Sequence, residues 1–173
     1  LAQIAVHYET GEKIPQELIR KLVDASNFNT GYFCCRQLSF GMLDMAWHTQ
    51  NEPFEGDVIA FEKQAWARTV IVPEVPGTFM SSSFGHIFSG GYAAGYYGYK
   101  WAEVLDADAF SVFKATGIFN RETARSFREN VLSKGGTEDP AILYKRFRGQ
   151  EPTIDALLIR NGIKQTEPKA NSN

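Results

Sequence analysis

An all-α architecture of about seven helices is the fold class that this 173-residue sequence predicts. Apolar residues recur at helical spacing through most of the chain, capping residues and prolines stand at the heads of those runs, and no segment alternates as a half-buried strand would. Leu1 to Tyr8 has a helix-compatible composition and stops at Thr10-Gly11. Ile14-Pro15-Gln16-Glu17 opens a helix with proline in its first turn, running to about Ala25. A long helix from Thr30 to about His48 carries Phe33, Leu38, Phe40, Met42, Leu43, Met45 and Trp47 on more than one side, as a buried helix does. Asp57 is an N-cap for a helix reaching about Val70. Ile71 to Thr78 holds two prolines and a glycine and is a loop, because proline lacks an amide donor and drives the residue before it to extended geometry. Beyond it, a tyrosine-rich helix is expected from Gly91 to about Thr116. Asn120 caps a helix over Arg121 to Leu132, which Lys134-Gly135-Gly136 ends. Pro140 opens another to about Phe147, and Thr153 caps the last to about Arg160. Residues 1–163 are expected to form one helical domain and the polar residues 164–173 a disordered tail.

Composition narrows the function classes. A net charge of −2, with basic residues spread along the chain rather than gathered in a stripe, argues against nucleic-acid binding. No apolar run reaches the roughly 18 residues of a membrane span, so no membrane association is expected. Cys34 and Cys35 are adjacent inside a helical pattern and lack C-x-x-C spacing, which reads as ordinary reduced thiols. That fits the cytoplasm.

The chemistry gathers in residues 86–101, HIFSGGYAAGYYGYKW. On a helix starting near Gly91, Tyr92, Tyr96 and Tyr99 stand at i, i+4 and i+7 and share a narrow arc, with Tyr97 pointing elsewhere and Ala94, Gly98 and Ala102 forming a small-residue strip. Phenols remain protonated at neutral pH and offer uncharged O–H donors, which suit a developing oxyanion. Gly90 and Gly91 free the backbone to take positive φ or to lie against a ligand, and place His86 on a movable loop. Tyrosines at helical spacing also arise as a half-buried stripe with hydroxyls in water, and spacing alone leaves both readings open. His7 and His48 read as surface or capping residues, since neither has a partner ligand at a suitable spacing. Glu103 reads as solvated helix surface that could also order a phenol, and Arg146 and Arg148 as last-turn cations favoured by the helix dipole. No G-K-[ST] follows the glycine pair, so it is not a phosphate loop.

The run FGHIFSGGYAAGYYGYKWAEVLDADAF, then GIFNRETARSFRENVLSKGG and LYKRFRGQEPTIDALL, resembles the C-terminal part of the thimet oligopeptidase family of zinc metallopeptidases. The likeness is strongest to its bacterial oligopeptidase A and peptidyl-dipeptidase branch, and extends from LAQIAVHYETGEKIPQELI through NFNTGYFCCRQLSFGMLD to about Ile163. The resemblance implies a zincin-like helical fold and peptide-bond hydrolysis in short peptides. It also implies a substrate cleft lined by His86, Tyr92, Tyr96 and Tyr99. In these terms Tyr99 is the main donor to the tetrahedral oxyanion, His86 and Tyr92 are further donors, and Tyr96 orients or binds substrate. Gly90 and Gly91 join Tyr96 as substrate-binding positions.

The family's H-E-x-x-H helix and following glutamate ligand are absent from this sequence. The expectation is therefore a C-terminal piece of a longer enzyme, inactive alone, whose partner is its own N-terminal part and whose zinc is held there. The competing reading is a non-catalytic helical module that binds a peptide or a partner helix through its aromatic face.

Overall fold

The computed structural model describes Leu1 and residues 4–164. Among these residues the chain forms seven α-helices of six residues or more and one single-turn helix: α1 Gln16–Ala25, α2 Thr30–His48, α3 Val58–Trp66, the single turn α4 Gly85–Phe88, α5 Gly98–Thr116, α6 Arg121–Phe127, α7 Pro140–Arg148 and α8 Asp155–Arg160. A 3₁₀ turn, Ser81–Ser83, precedes α4, and a π-helical turn, Arg128–Leu132, continues α6.

The capping chemistry explains most of these boundaries. Asp57 accepts from the amides of Ile59 and Ala60, Asn120 from those of Glu122 and Thr123, and Asp139 from that of Ala141, with Pro140 as the first helical residue. Each carboxylate or amide oxygen satisfies donors that the first turn leaves without an intrahelical partner. Gly149, at φ 79°, ends α7 in the left-handed conformation that glycine adopts without steric cost.

Several expectations fail, each for a local reason. Of the helix expected over Leu1 to Tyr8, residues 4–8 are not helical: Val6 pairs with Lys13 in an isolated antiparallel bridge around a turn at Gly11 (φ 70°). The apolar side chains Leu1, Ile4 and Val6 are exposed, so no buried face rewards helix formation there. The helix from Asp57 stops at Trp66, four residues before Val70, where Ala67 and Thr69 bond back in tighter turns. Thr153 does not cap α8, which begins at Asp155 after Ile154. Only one stripe of α2 is buried, Ser39, Phe40, Leu43 and Asp44, while Phe33, Leu38 and Met45 remain exposed. The tail expectation over 165–173 lies outside the described residues, and Lys164 pairs with Asp155 at 3.0 Å.

The buried side chains form three clusters. Phe40 and Leu43 of α2 pack with Phe84 and Ile87 around α4. Val104 and Ala107 of α5 pack on Leu157 of α8, and Ala109 of α5 packs on Tyr144 and Phe147 of α7. The first cluster belongs to the α2–α3 side and the other two to the α5–α8 side. The segment joining them, residues 89–97, carries Tyr92, Tyr96 and Tyr97, and Tyr99 follows in the first turn of α5.

Candidate active site

The tyrosine segment is not helical where the sequence pattern places a helix. Gly91 stands at φ 82° and Ala94 at φ 52°, two left-handed residues that no α-helix accommodates, and α5 begins only at Gly98. Tyr92 and Tyr96 therefore sit in successive turns and Tyr99 in the first turn of the helix. Ala94 drops out of the small-residue strip expected on the helix.

The rings nevertheless meet. Tyr92 stacks on Tyr99 with centroids 5.1 Å apart, Tyr96 meets Tyr99 edge-on at 5.0 Å, and the His86 ring lies 5.8 Å from Tyr92 and 6.1 Å from Tyr96. Tyr97 is exposed and joins none of these ring pairs. The cluster is not sealed: Tyr92 is 38% and Tyr99 40% exposed, and His86 is exposed as well. His86 is carried by α4, not by an open loop. Gly90 faces it so closely that an added Cβ would lie 2.9 Å from the His86 Cα and carbonyl oxygen. Both glycines thus have geometric reasons, close approach at Gly90 and positive φ at Gly91.

Hydrogen bonding with Tyr92, then desolvation, pushes the Tyr99 phenol up to about 12. Burial pushes the Tyr96 phenol up against the opposing influence of Gln37 and Arg36. Both hold their protons more firmly than a free phenol and remain donors through the physiological range.

What sequence reasoning missed is the scaffold behind the rings, one face of α2 at spacings of three to four residues. Gln37 Oε1 accepts from the Tyr96 hydroxyl at 3.2 Å, Phe40 meets the Tyr96 ring edge-on at 5.7 Å, and Asp44 accepts from the amides of Ala94 (2.9 Å) and Tyr96 (2.8 Å). His48 Nδ1 lies 2.8 Å from Asp44 Oδ1, and its ring faces Phe88 at 5.8 Å. His48 Nδ1 also lies 2.9 Å from the Asp44 carbonyl oxygen in the last turn of α2, so this histidine is half-buried and partnered rather than a free surface residue. Glu62 on α3 anchors the approach to α4, accepting from the amides of Met80 and Ser81 and from the Ser81 hydroxyl at 2.6–2.7 Å. The available signal was an acidic residue at 44 amid Met42, Leu43, Met45 and Trp47, where a solvated carboxylate has no place.

The remaining candidates stay apart from the rings. His7 accepts from the amides of Glu9 and Thr10 in the exposed N-terminal turn. Cys34 and Cys35 are unpaired thiols on α2. Glu103 pairs with Lys100 at 2.6 Å, and Arg146 forms a forked pair with Glu138. A cavity of about 430 Å³ opens beyond Phe40, lined by Arg36, Glu62, Trp66 and the proline loop, and does not include His86 or the three tyrosines. Among the described residues no three His, Cys, Asp or Glu side chains come together as a metal would require, so a zinc site does not fit these residues.

The model of peptidase family M3 matches residues 1–163. The chain belongs to peptidase family M3. Oligopeptidase A of Escherichia coli (strain K12) is 50% identical over 165 residues, covering 95% of this chain and 24% of its own length. Probable cytosolic oligopeptidase A of Arabidopsis thaliana is 42% identical over 94% of this chain and 24% of its own, and dipeptidyl carboxypeptidase of E. coli (strain K12) is 42% identical over the same two shares. The chain spans about a quarter of the length of these M3 relatives.

Proposed function

We propose that this chain is the C-terminal part of a zinc-dependent M3 peptidase that hydrolyses short peptides in the cytoplasm, as an oligopeptidase or a peptidyl-dipeptidase. Support comes from the family match, from relatives named for those two activities, from a plant relative named as cytosolic, and from the share of their length that the chain covers. The single observation that carries the residue assignment is the convergence of His86, Tyr92, Tyr96 and Tyr99 into one partly exposed ring cluster.

In this reading the metal and the general base are held by polypeptide outside these residues, and this chain supplies the facing wall. Tyr99 donates its O–H to the oxygen of the scissile carbonyl as that oxygen gains negative charge. A phenol is protonated at neutral pH, and hydrogen bonding with Tyr92 raises this one further, so the O–H is there to donate through the physiological range. Tyr92 and His86 are further donors to the oxyanion or the substrate backbone. Tyr96 and the Gly90-Gly91 backbone orient the bound peptide. Because the phenol hydrogen bond strengthens only as charge develops, its worth appears in kcat rather than in KM.

Tyr99→Phe in the full-length enzyme tests this. Removing one preorganised donor costs on the order of 10²- to 10³-fold in kcat, with zinc content unchanged. Turnover within a few-fold of wild type would remove Tyr99 from the mechanism.

A further inference from the structure

Asp44 is completely buried at 0% exposure on an otherwise apolar stretch of α2, and its bonds all point at the tyrosine segment or at His48. Oδ1 takes the amide of Ala94, Oδ2 that of Tyr96, and His48 closes the remaining approach to Oδ1. The two amides converge because Ala94 is left-handed, which turns successive N–H groups into a concave anion seat. Such seats commonly take a ligand anion, and here the chain fills its own. Of these two amides, that of Tyr96 is one a helix starting at Gly91 would have used internally, whereas here it goes to Asp44 and α5 starts at Gly98.

We infer that Asp44 is a positioning residue for hydrolysis, holding the 94–96 backbone in the left-handed turn that brings the Tyr96 ring against Tyr99 and so sets the direction of the phenol donor. This rests on the proposed role of Tyr99. A carboxylate only accepts hydrogen bonds, whereas the carboxamide of Asp44→Asn presents a donor to one of the two amides and forces that end of the turn away. A misplacement near 1 Å in a catalytic group costs about 10²-fold.

The test uses the full-length zinc enzyme. Asp44→Asn is expected to lower kcat by about 10²-fold with KM little changed and zinc content intact, and the factor lost should shrink when the substitution is made in a Tyr99→Phe background. The same factor in both backgrounds, or a loss confined to KM, overturns the inference. If Tyr99→Phe alone leaves turnover unaffected, the proposed role of Tyr99 fails instead, and the two failures are thereby told apart. Hydrogen exchange on the wild-type enzyme covers the case in which Asp44→Asn does not fold. The amides of Ala94 and Tyr96 are expected to be protected, and exchange at the rate of free peptide at both would overturn the clamp.

Discussion

The Tyr99 phenol is tuned by its neighbours. Tyr92 stacks on it at 5.1 Å and, by hydrogen bonding, raises it to about 12 from the ordinary 10. Tyr96 and Tyr144 are raised as well, both chiefly by burial. A phenol held more tightly in the folded than in the unfolded state contributes stability that is complete below the unfolded value and is lost as pH rises through the folded one. Thermal stability should therefore hold up to about pH 10 and fall between about 10 and 12, and Tyr144→Phe should blunt the fall; a stability curve flat across that window would remove these phenols as its cause. Gly91, at φ 82°, has open space where a side chain would sit, and its left-handed backbone is what disfavours one. Gly91→Ala should cost about 1–2 kcal/mol in denaturant unfolding. Gly90→Ala should displace α4, because the clash at 2.9 Å is with His86 backbone, which cannot rotate aside.

Helices that a cap or a proline announces were legible in the sequence: Asp57, Asn120 and Pro140 do locally what their chemistry says. The tyrosine segment was legible in outcome and illegible in means. Periodicity placed Tyr92, Tyr96 and Tyr99 together on a helix, and the structure brings the rings together through two left-handed turns held from α2. Such long-range capture of amides by a side chain fifty residues away leaves no periodic trace. The same holds for the other buried carboxylates. Asp108 on α5 is 1% exposed and takes the Tyr144 hydroxyl at 2.8 Å and Arg148 Nε at 2.9 Å, pinning α7 to α5. A last-turn arginine thus has a structural partner beyond the helix dipole. Asp108→Ala strands the guanidinium and should destabilise the chain by about 3–5 kcal/mol in equilibrium unfolding; a loss under ~1 kcal/mol would place the pair among weak surface contacts.

The α2–α3 side and the α5–α8 side have separate apolar clusters, and the tyrosine segment bridges them, so the rings proposed to face substrate lie at the connection between the two sides. Leu18, Leu22 and Val23 of α1, with Phe28 and Phe33, leave a large apolar surface exposed, which fits a chain that spans about a quarter of its relatives' length. Combining it with the separately produced remainder of the enzyme and zinc should restore peptide hydrolysis; a mixture that associates without activity would favour the binding-module reading. The donor role itself is tested most directly with a peptide bearing a tetrahedral phosphinate in place of the scissile amide, bound to full-length enzyme with and without the Tyr99 hydroxyl. Tyr99→Phe should weaken binding of that analogue by about 10²- to 10³-fold while substrate KM moves by only a few-fold. An inhibition constant unchanged by the substitution would mean that the phenol takes no part in stabilising the oxyanion.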